Sequence, residues 1–208
     1  RLRDRDTIPL YVRQVVAWLV TRYTDSPLGQ ALFERVLEIE PELLMLEGDA
    51  RSLDISHRKR ILEAFAERYQ NRGSVIGWLD RSPLARFAAP SLAETVGELL
   101  LREDAEPELQ RTLLWLAMSG GMRTLLPQLR DLALSSDADP SLRGLAIQAM
   151  RTIGAEGSLV ELRPLLADPD RRPPPLEVPL GGDAGRDRQA GDRGSEAVNL
   201  RAGSVPLA

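Results

Sequence analysis

Asp137-Ala138-Asp139-Pro140-Ser141-Leu142-Arg143-Gly144-Leu145-Ala146-Ile147-Gln148-Ala149-Met150-Arg151-Thr152-Ile153-Gly154 decides the fold, because its pattern occurs twice. Asp104-Ala105-Glu106-Pro107-Glu108-Leu109 stands 33 residues before Asp137-Ala138-Asp139-Pro140-Ser141-Leu142. At the same offset Gly121 matches Gly154, Leu126 matches Leu159, Leu129 matches Leu162, Arg130 matches Arg163 and Leu132 matches Leu165. A fixed period of this size marks a stacked array. Each unit predicts two helices. An acid caps the first and Pro occupies its first position, where a missing N–H costs nothing. Gly ends that helix, and a second helix with Leu at three-residue spacing packs back. One such pair cannot bury both apolar faces, so neighbouring pairs complete the core.

The stretch Asp139 to Gly154 resembles a HEAT repeat of the short bacterial type, with Asp-Pro and Arg before an Ala-rich helix that ends at Gly. Leu159, Leu162, Leu165, Leu166 and Asp168 fit its second helix and exit. The earlier unit departs from the pattern: Trp115 and Met118 replace small residues, and Gln110 stands where Arg is preferred. The resemblance implies an all-α fold, a right-handed α-solenoid of HEAT-like helical hairpins with a disordered C-terminal tail. The expected organisation is 1–90 as a degenerate helical region, 91–170 as HEAT-like repeats and 171–208 as the tail. That tail is rich in Pro and Gly, at roughly 30% without period. It reads equally as a natural extension and as an array interrupted by truncation or a shifted reading frame.

Upstream, helices also dominate. Thr7 and Pro9 open one whose inward face is predicted to be Val12, Val15, Val16, Leu19, Val20 and Tyr23. Ser26-Pro27 opens another, with Leu28, Ala31, Leu32, Val36 and Leu37 inward. Pro41 starts a short turn through Leu43, Leu44 and Leu46. Asp54 or Ser56 caps a helix carrying Ile61, Leu62, Phe65 and Tyr69, stopped by Asn71 and Gly73. Short helical turns are expected between Ser74 and Pro90. Ser91 and Glu94 have capping-box spacing ahead of Leu92, Val96, Leu99 and Leu100. No segment alternates with period two, so no sheet is expected. Pro9 to Tyr69 also resembles the helical part of large bacterial NACHT-like (STAND) signalling ATPases, through Leu10-Tyr11-Val12-Arg13-Gln14-Val15-Val16-Ala17-Trp18-Leu19 and Ile39-Glu40-Pro41-Glu42-Leu43-Leu44. That resemblance implies ATP only through an upstream module, since no Walker phosphate loop occurs in these residues.

The composition removes several chemistries. The 208 residues include no Cys and one His, which excludes thiolate and multi-histidine metal sites within them. A net charge of −4 argues against a general nucleic-acid binder. No run of about 18 apolar residues occurs. Arg1 to Asp6 shows no apolar leader, so the expected setting is cytoplasmic. The chain opens on Arg rather than Met, which suggests a fragment.

Candidate sites mostly reduce to structural roles. His57, beside Arg58, Lys59 and Arg60, reads as a solvated surface residue. Asp137, Asp139 and Ser141 imitate the start of an EF-hand loop but lack its Gly and Glu. They read as a helix cap. Arg51 and Arg58 to Arg60 form a compact basic cluster, read as a solvated face. Trp78, Trp115, Arg111 and Asp104 could imitate the groove of a HEAT-like base-excision enzyme. Trp115 reads instead as partly core. Glu38, Glu40, Glu42 and Glu47 read as surface.

The expectation is therefore a non-catalytic protein-interaction scaffold with no cofactor and no metal, a fragment of the sensor or scaffold region of a larger signalling ATPase. Its candidate contact residues are Gln128, Arg130, Asp131, Glu161 and Arg163. The alternatives are a HEAT-like enzyme of base-excision or bilin-lyase type and a non-functional truncated remnant.

Overall fold

The computed structural model describes residues 7–72, 81–154 and 157–167. These described residues belong to one compact unit. The expected tail, Trp78 and Gly73 lie outside the described residues. Among the described residues every regular element is helical. The helices are α1 (Arg13–Arg22), α2 (Pro27–Ile39), α3 (Glu42–Leu46), α4 (Ile55–Arg72), α5 (Arg81–Phe87), α6 (Ala93–Leu100), α7 (Pro107–Gly120), α8 (Leu126–Leu134), α9 (Pro140–Ile153) and α10 (Pro164–Ala167).

They stack in two layers. In one layer α1 packs on α3, α3 on α5, α5 on α7 and α7 on α9. In the other α2 packs on α4 and α4 on α6. There α6 meets the 3₁₀ turn Arg123–Leu125 that leads into α8, and α8 meets the 3₁₀ segment Ser158–Leu162. Contacts of α1 with α2, α3 with α4 and α8 with α9 join the layers. This is an all-α, HEAT-like solenoid, with its core between the layers.

The 33-residue period is repeated in the helices. Helices α7 and α9 are both 14 residues long. They bury the equivalent pairs Leu109 and Leu142, Leu113 and Ala146, Leu116 and Ala149, and Ala117 and Met150. The period also extends one second helix further back than the acid-Pro motif indicates. The 3₁₀ turn Pro90–Leu92 and α6 precede the 3₁₀ turn Arg123–Leu125 and α8 by the same offset, and Leu92 and Val96 are buried like Leu125 and Leu129.

Local chemistry explains most helix ends. Ser26 Oγ accepts from the Gly29 N–H at 3.0 Å and caps α2. Asp54 Oδ1 accepts from the His57 N–H at 2.8 Å at the start of α4. Asp139 Oδ1 accepts from the N–H groups of Ser141 and Leu142 at the start of α9. The Ser141 hydroxyl, then those two N–H groups and Arg111, hold the Asp139 carboxyl below its ordinary range. Thus Asp139 of the EF-hand-like set makes a cap, as the sequence indicated. Glu106 occupies the same cap position before α7 but makes no side-chain bond there.

Five expectations are corrected. The capping box at Ser91 and Glu94 does not form: Leu92 is the N-cap of α6, and Glu94 turns to Lys59, 3.1 Å away. The inward face of α1 is Ala17, Val20 and Thr21, with Val15 and Tyr23 exposed. Val20 is buried and Val16 packs against the core as expected, so periodicity found part of the face and misplaced Val15 and Tyr23. On α2, Phe33 and Val36 are buried and Leu28 is 71% exposed. The last second helix is broken into the 3₁₀ segment Ser158–Leu162 and the four-residue α10. Pro164 stands where α8 has Asp131, inside the helix, and Pro there removes a backbone donor and clashes with the preceding turn. Finally, Glu40 and Glu42 are not surface acids. Glu40 Oε1 lies 2.7 Å from Arg13 and Glu42 Oε1 lies 3.5 Å from Arg68, with both carboxylates 12% exposed.

Candidate protein-docking face

Charged side chains tie neighbouring helices together along the second-helix layer. Arg60 Nη2 lies 2.6 Å from Glu34, joining α4 to α2, and its guanidinium covers the Phe33 ring. Lys59 Nζ lies 3.1 Å from Glu94, joining α4 to α6. Arg58 donates to the Leu53 and Phe87 carbonyls. Arg58, Lys59 and Arg60 of the basic cluster are therefore dispersed onto four different partners. His57 is also more enclosed than expected. Its Nδ1 lies 2.8 Å from Asp54 Oδ1, and its ring meets Phe33 edge-on at 4.8 Å.

Further along the layer, Arg130 gathers Asp131 and Glu161. Its Nε and Nη2 donate to Asp131 Oδ1 at 3.0 and 2.8 Å, and its Nη1 donates to Glu161 Oε2 at 3.2 Å. The two carboxylates push the Arg130 guanidinium pKa upward, Asp131 most strongly. Three of the five candidate residues thus meet, and the contact crosses from α8 to the next unit. Arg163 is exposed.

Gln128, the fifth candidate, lies elsewhere. Among the described residues no ion pair joins α6 to α8. At that junction is an open groove of about 430 Å³, lined by Ala93, Glu94, Gly97, Glu98, Leu101, Thr124, Leu125 and Gln128. Gly97 makes room for it. A Cβ there would stand 3.0 Å from Leu125 Cδ2 and 3.6 Å from Gln128 Nε2. Glycine inside a helix costs about 1 kcal/mol relative to Ala, so the space has an energetic cost. Gln128 Oε1 is buried and has no hydrogen-bond partner among the described residues. Leu101, at the rim, is 64% exposed. Sequence reasoning missed Gly97, Glu98, Leu101 and Thr124. The available signal was a lone Gly in the middle of an apolar helix.

Of the groove-like set Trp78, Trp115, Arg111 and Asp104, Trp78 lies outside the described residues and Arg111 is engaged between helices. Arg111 pairs with Glu108 on its own helix, donates to Ser141 Oγ at 2.6 Å and lies 3.8 Å from Asp139. It joins α7 to α9. Trp115 is partly buried against the core. No cluster of three or more metal-ligating side chains occurs among the described residues.

Residues 93–173 match the family model for HEAT repeats. This part of the chain is similar to HEAT repeats. No curated protein and no solved structure matches the chain. HEAT repeats commonly act as protein-interaction scaffolds, and the family is typically non-enzymatic. The groove lies between the second helices of two consecutive helical units, within the matched stretch. No helix among the described residues is long and apolar enough to cross a membrane.

Proposed function

We propose that this chain is a non-catalytic scaffold that docks a protein partner on its second-helix layer, through the groove between α6 and α8. The observation that carries this is the groove itself. It has an apolar floor, a polar rim and one unpaired buried amide oxygen, which is the usual make-up of a recognition pocket. Gln128 lines the groove. Arg130, Asp131, Glu161 and Arg163 extend the contact surface along the next unit.

Photo-crosslinking tests it. A photoreactive residue at Glu98 or Thr124 should give partner adducts in cells, and one at the exposed Ser119 on α7 should not. Filling the groove with Gly97→Leu, or charging its rim with Leu101→Glu, should abolish the adducts in protein that circular dichroism shows to be folded. Reversing Arg130 and Arg163 to Glu should weaken capture at unchanged melting temperature. Equal labelling from both layers would overturn the assignment.

The wider reading, a cytoplasmic scaffold region of a NACHT-like signalling ATPase, rests on the resemblance of Pro9 to Tyr69. Sequencing the encoding DNA beyond both ends tests it. An upstream phosphate loop supports it; a gene without one removes it.

A further inference from the structure

The groove between α6 and α8 is lined by two carboxylates, Glu94 and Glu98, and by no cation. They stand one turn apart on α6, with Gly97 between them and Leu101 at the helix end. Elsewhere on this layer acids are taken by the chain's own cations. Glu34 meets Arg60, Asp131 and Glu161 meet Arg130, and Glu94 itself meets Lys59. Glu98 differs. It is exposed, and its carboxylate makes no ion pair or hydrogen bond among the described residues. Arg102, one turn on, and Arg123, beside Thr124, neither line the groove nor pair with Glu98.

The second unsatisfied group is also an acceptor. Gln128 Oε1 is buried without a partner among the described residues. The terminal torsion of a Gln side chain is broad, so this oxygen turns toward an entering donor at little cost. The floor beneath is apolar. Ala93 and Leu125 are buried, Gly97 offers no side chain, and Leu101 forms an exposed rim.

We propose, resting on the docking reading above, that the groove reads a basic side chain of the partner. The methylene stem of an Arg or Lys lies over Gly97 and Leu125, and its charged head meets Glu98 and the Gln128 amide oxygen. An apolar neighbour in the same segment covers Leu101. The charges and the floor together select this occupant. An acidic segment would be repelled by the two carboxylates. A wholly apolar segment would strip water from Glu98 and Gln128 and give no donor in return. A basic side chain is apolar along its stem and a multiple donor at its head, so it suits the floor and both acceptors at once.

A random heptapeptide library displayed on phage and panned against the whole chain tests this. Binders should share one position taken by Arg or Lys beside an apolar residue. Glu98→Arg, a reversal at an exposed and unpaired site, should convert that position to Asp or Glu at unchanged melting temperature. Fluorescence anisotropy with the selected peptide then reads each contact. Glu98→Gln should weaken binding about tenfold, through loss of a charge-assisted bond. Gln128→Leu should weaken it about fivefold, through loss of a neutral acceptor. Gly97→Leu should abolish it. Citrulline at the basic position keeps the shape without the charge, so that peptide should no longer distinguish the native chain from Glu98→Gln. An acidic or purely apolar consensus, no consensus, or a consensus unchanged on Glu98→Arg would each overturn the inference. Partner adducts at Glu98 and Thr124 that persist beside such a result would leave the docking reading standing. Absence of those adducts would remove the docking reading, and this inference with it.

Discussion

Gln110 and Arg143 occupy the same place in consecutive units and make the same bond. Gln110 Nε2 donates to the Leu100 carbonyl at 3.2 Å, and Arg143 Nε donates to the Ala133 carbonyl at 3.3 Å. Leu100 and Ala133 also lie one period apart, near the ends of α6 and α8. The last carbonyls of a helix have no partner within it, so each needs a donor from outside. The departure at Gln110 from the family pattern thus preserves the function of the residue while changing its identity.

Removing that donor should destabilise the array. Arg143 is 6% exposed. Arg143→Leu keeps the apolar stem but leaves the Ala133 carbonyl unpaired, at a cost of about 2 kcal/mol. Gln110→Leu should cost about 1 kcal/mol at its less buried site. Gln110→Arg should be tolerated. Urea unfolding with unchanged m-values checks all three.

Gly121 and Gly154 are equivalent by sequence yet should respond differently to Ala. Gly121 has a positive φ of 58°, and a Cβ added there would have nothing within 4 Å. Ala there should cost about 1 kcal/mol from backbone conformation alone. Gly154 has an ordinary φ of −74°, but a Cβ would stand 2.4 Å from the Met150 carbonyl oxygen. Ala there should cost more than at Gly121, because backbone must move. Asn should partly rescue position 121, since it tolerates the left-handed region, and should give no rescue at position 154. Thermal melts of the four variants separate the two causes.

Asp54 should confer acid-sensitive stability. The His57 backbone N–H and then the Ser56 hydroxyl lower its pKa from 3.8 to about 2. A carboxyl with a lowered folded-state pKa stabilises above its unfolded value and loses that contribution as pH falls through the folded one. Asp54 is 63% exposed, so solvent screening keeps the effect near that of an ordinary cap, about 1 kcal/mol. Asp54→Ala should lose that amount at pH 7. In urea titrations across that range, the gap from the native chain should close as pH falls from 3.8 to about 2.

The Arg13–Glu40 pair should be replaceable as a unit and costly to break. Burial raises the Glu40 pKa although Arg13 opposes the rise. Desolvation therefore outweighs attraction for this carboxylate. Any stability tied to the raised pKa is present below 4.5 and lost as pH rises through the folded value. Glu40→Leu alone strands the Arg13 charge and should cost about 3 kcal/mol. The double variant Arg13→Met, Glu40→Leu should recover most of that loss. A double-mutant cycle in urea measures it.

How much of this was legible depended on range. The paired helices were visible because acid-Pro and Gly are local signals at a fixed spacing. The second helix of the preceding unit falls inside the expected repeat region 91–170, but no acid-Pro pair introduces it to mark its register, although Leu92, Val96 and Leu99 follow the same spacing. The burial of Glu40 and Glu42 was invisible because their partners Arg13 and Arg68 arrive from other helices. For the same reason the basic run at Arg58 to Arg60 looked like one patch. Arg130 and Glu161 were singled out as polar residues on second helices, but only the stacking shows that they touch. The groove depends on Gly97 lying opposite Leu125, a relation between two helices that neither segment reveals alone.

The equal length of α7 and α9, together with the donor that each offers to the helix before it, has a consequence for how such a chain changes size. Excising residues 107–139 would join Glu106 to Pro140 and bring Arg143 to the place where Gln110 meets the Leu100 carbonyl. The splice would still present an acid, a proline and a donor in the right order. Whole units can be gained or lost by recombination with the seam already chemically matched, whereas an insertion of one or two residues would misalign every later junction.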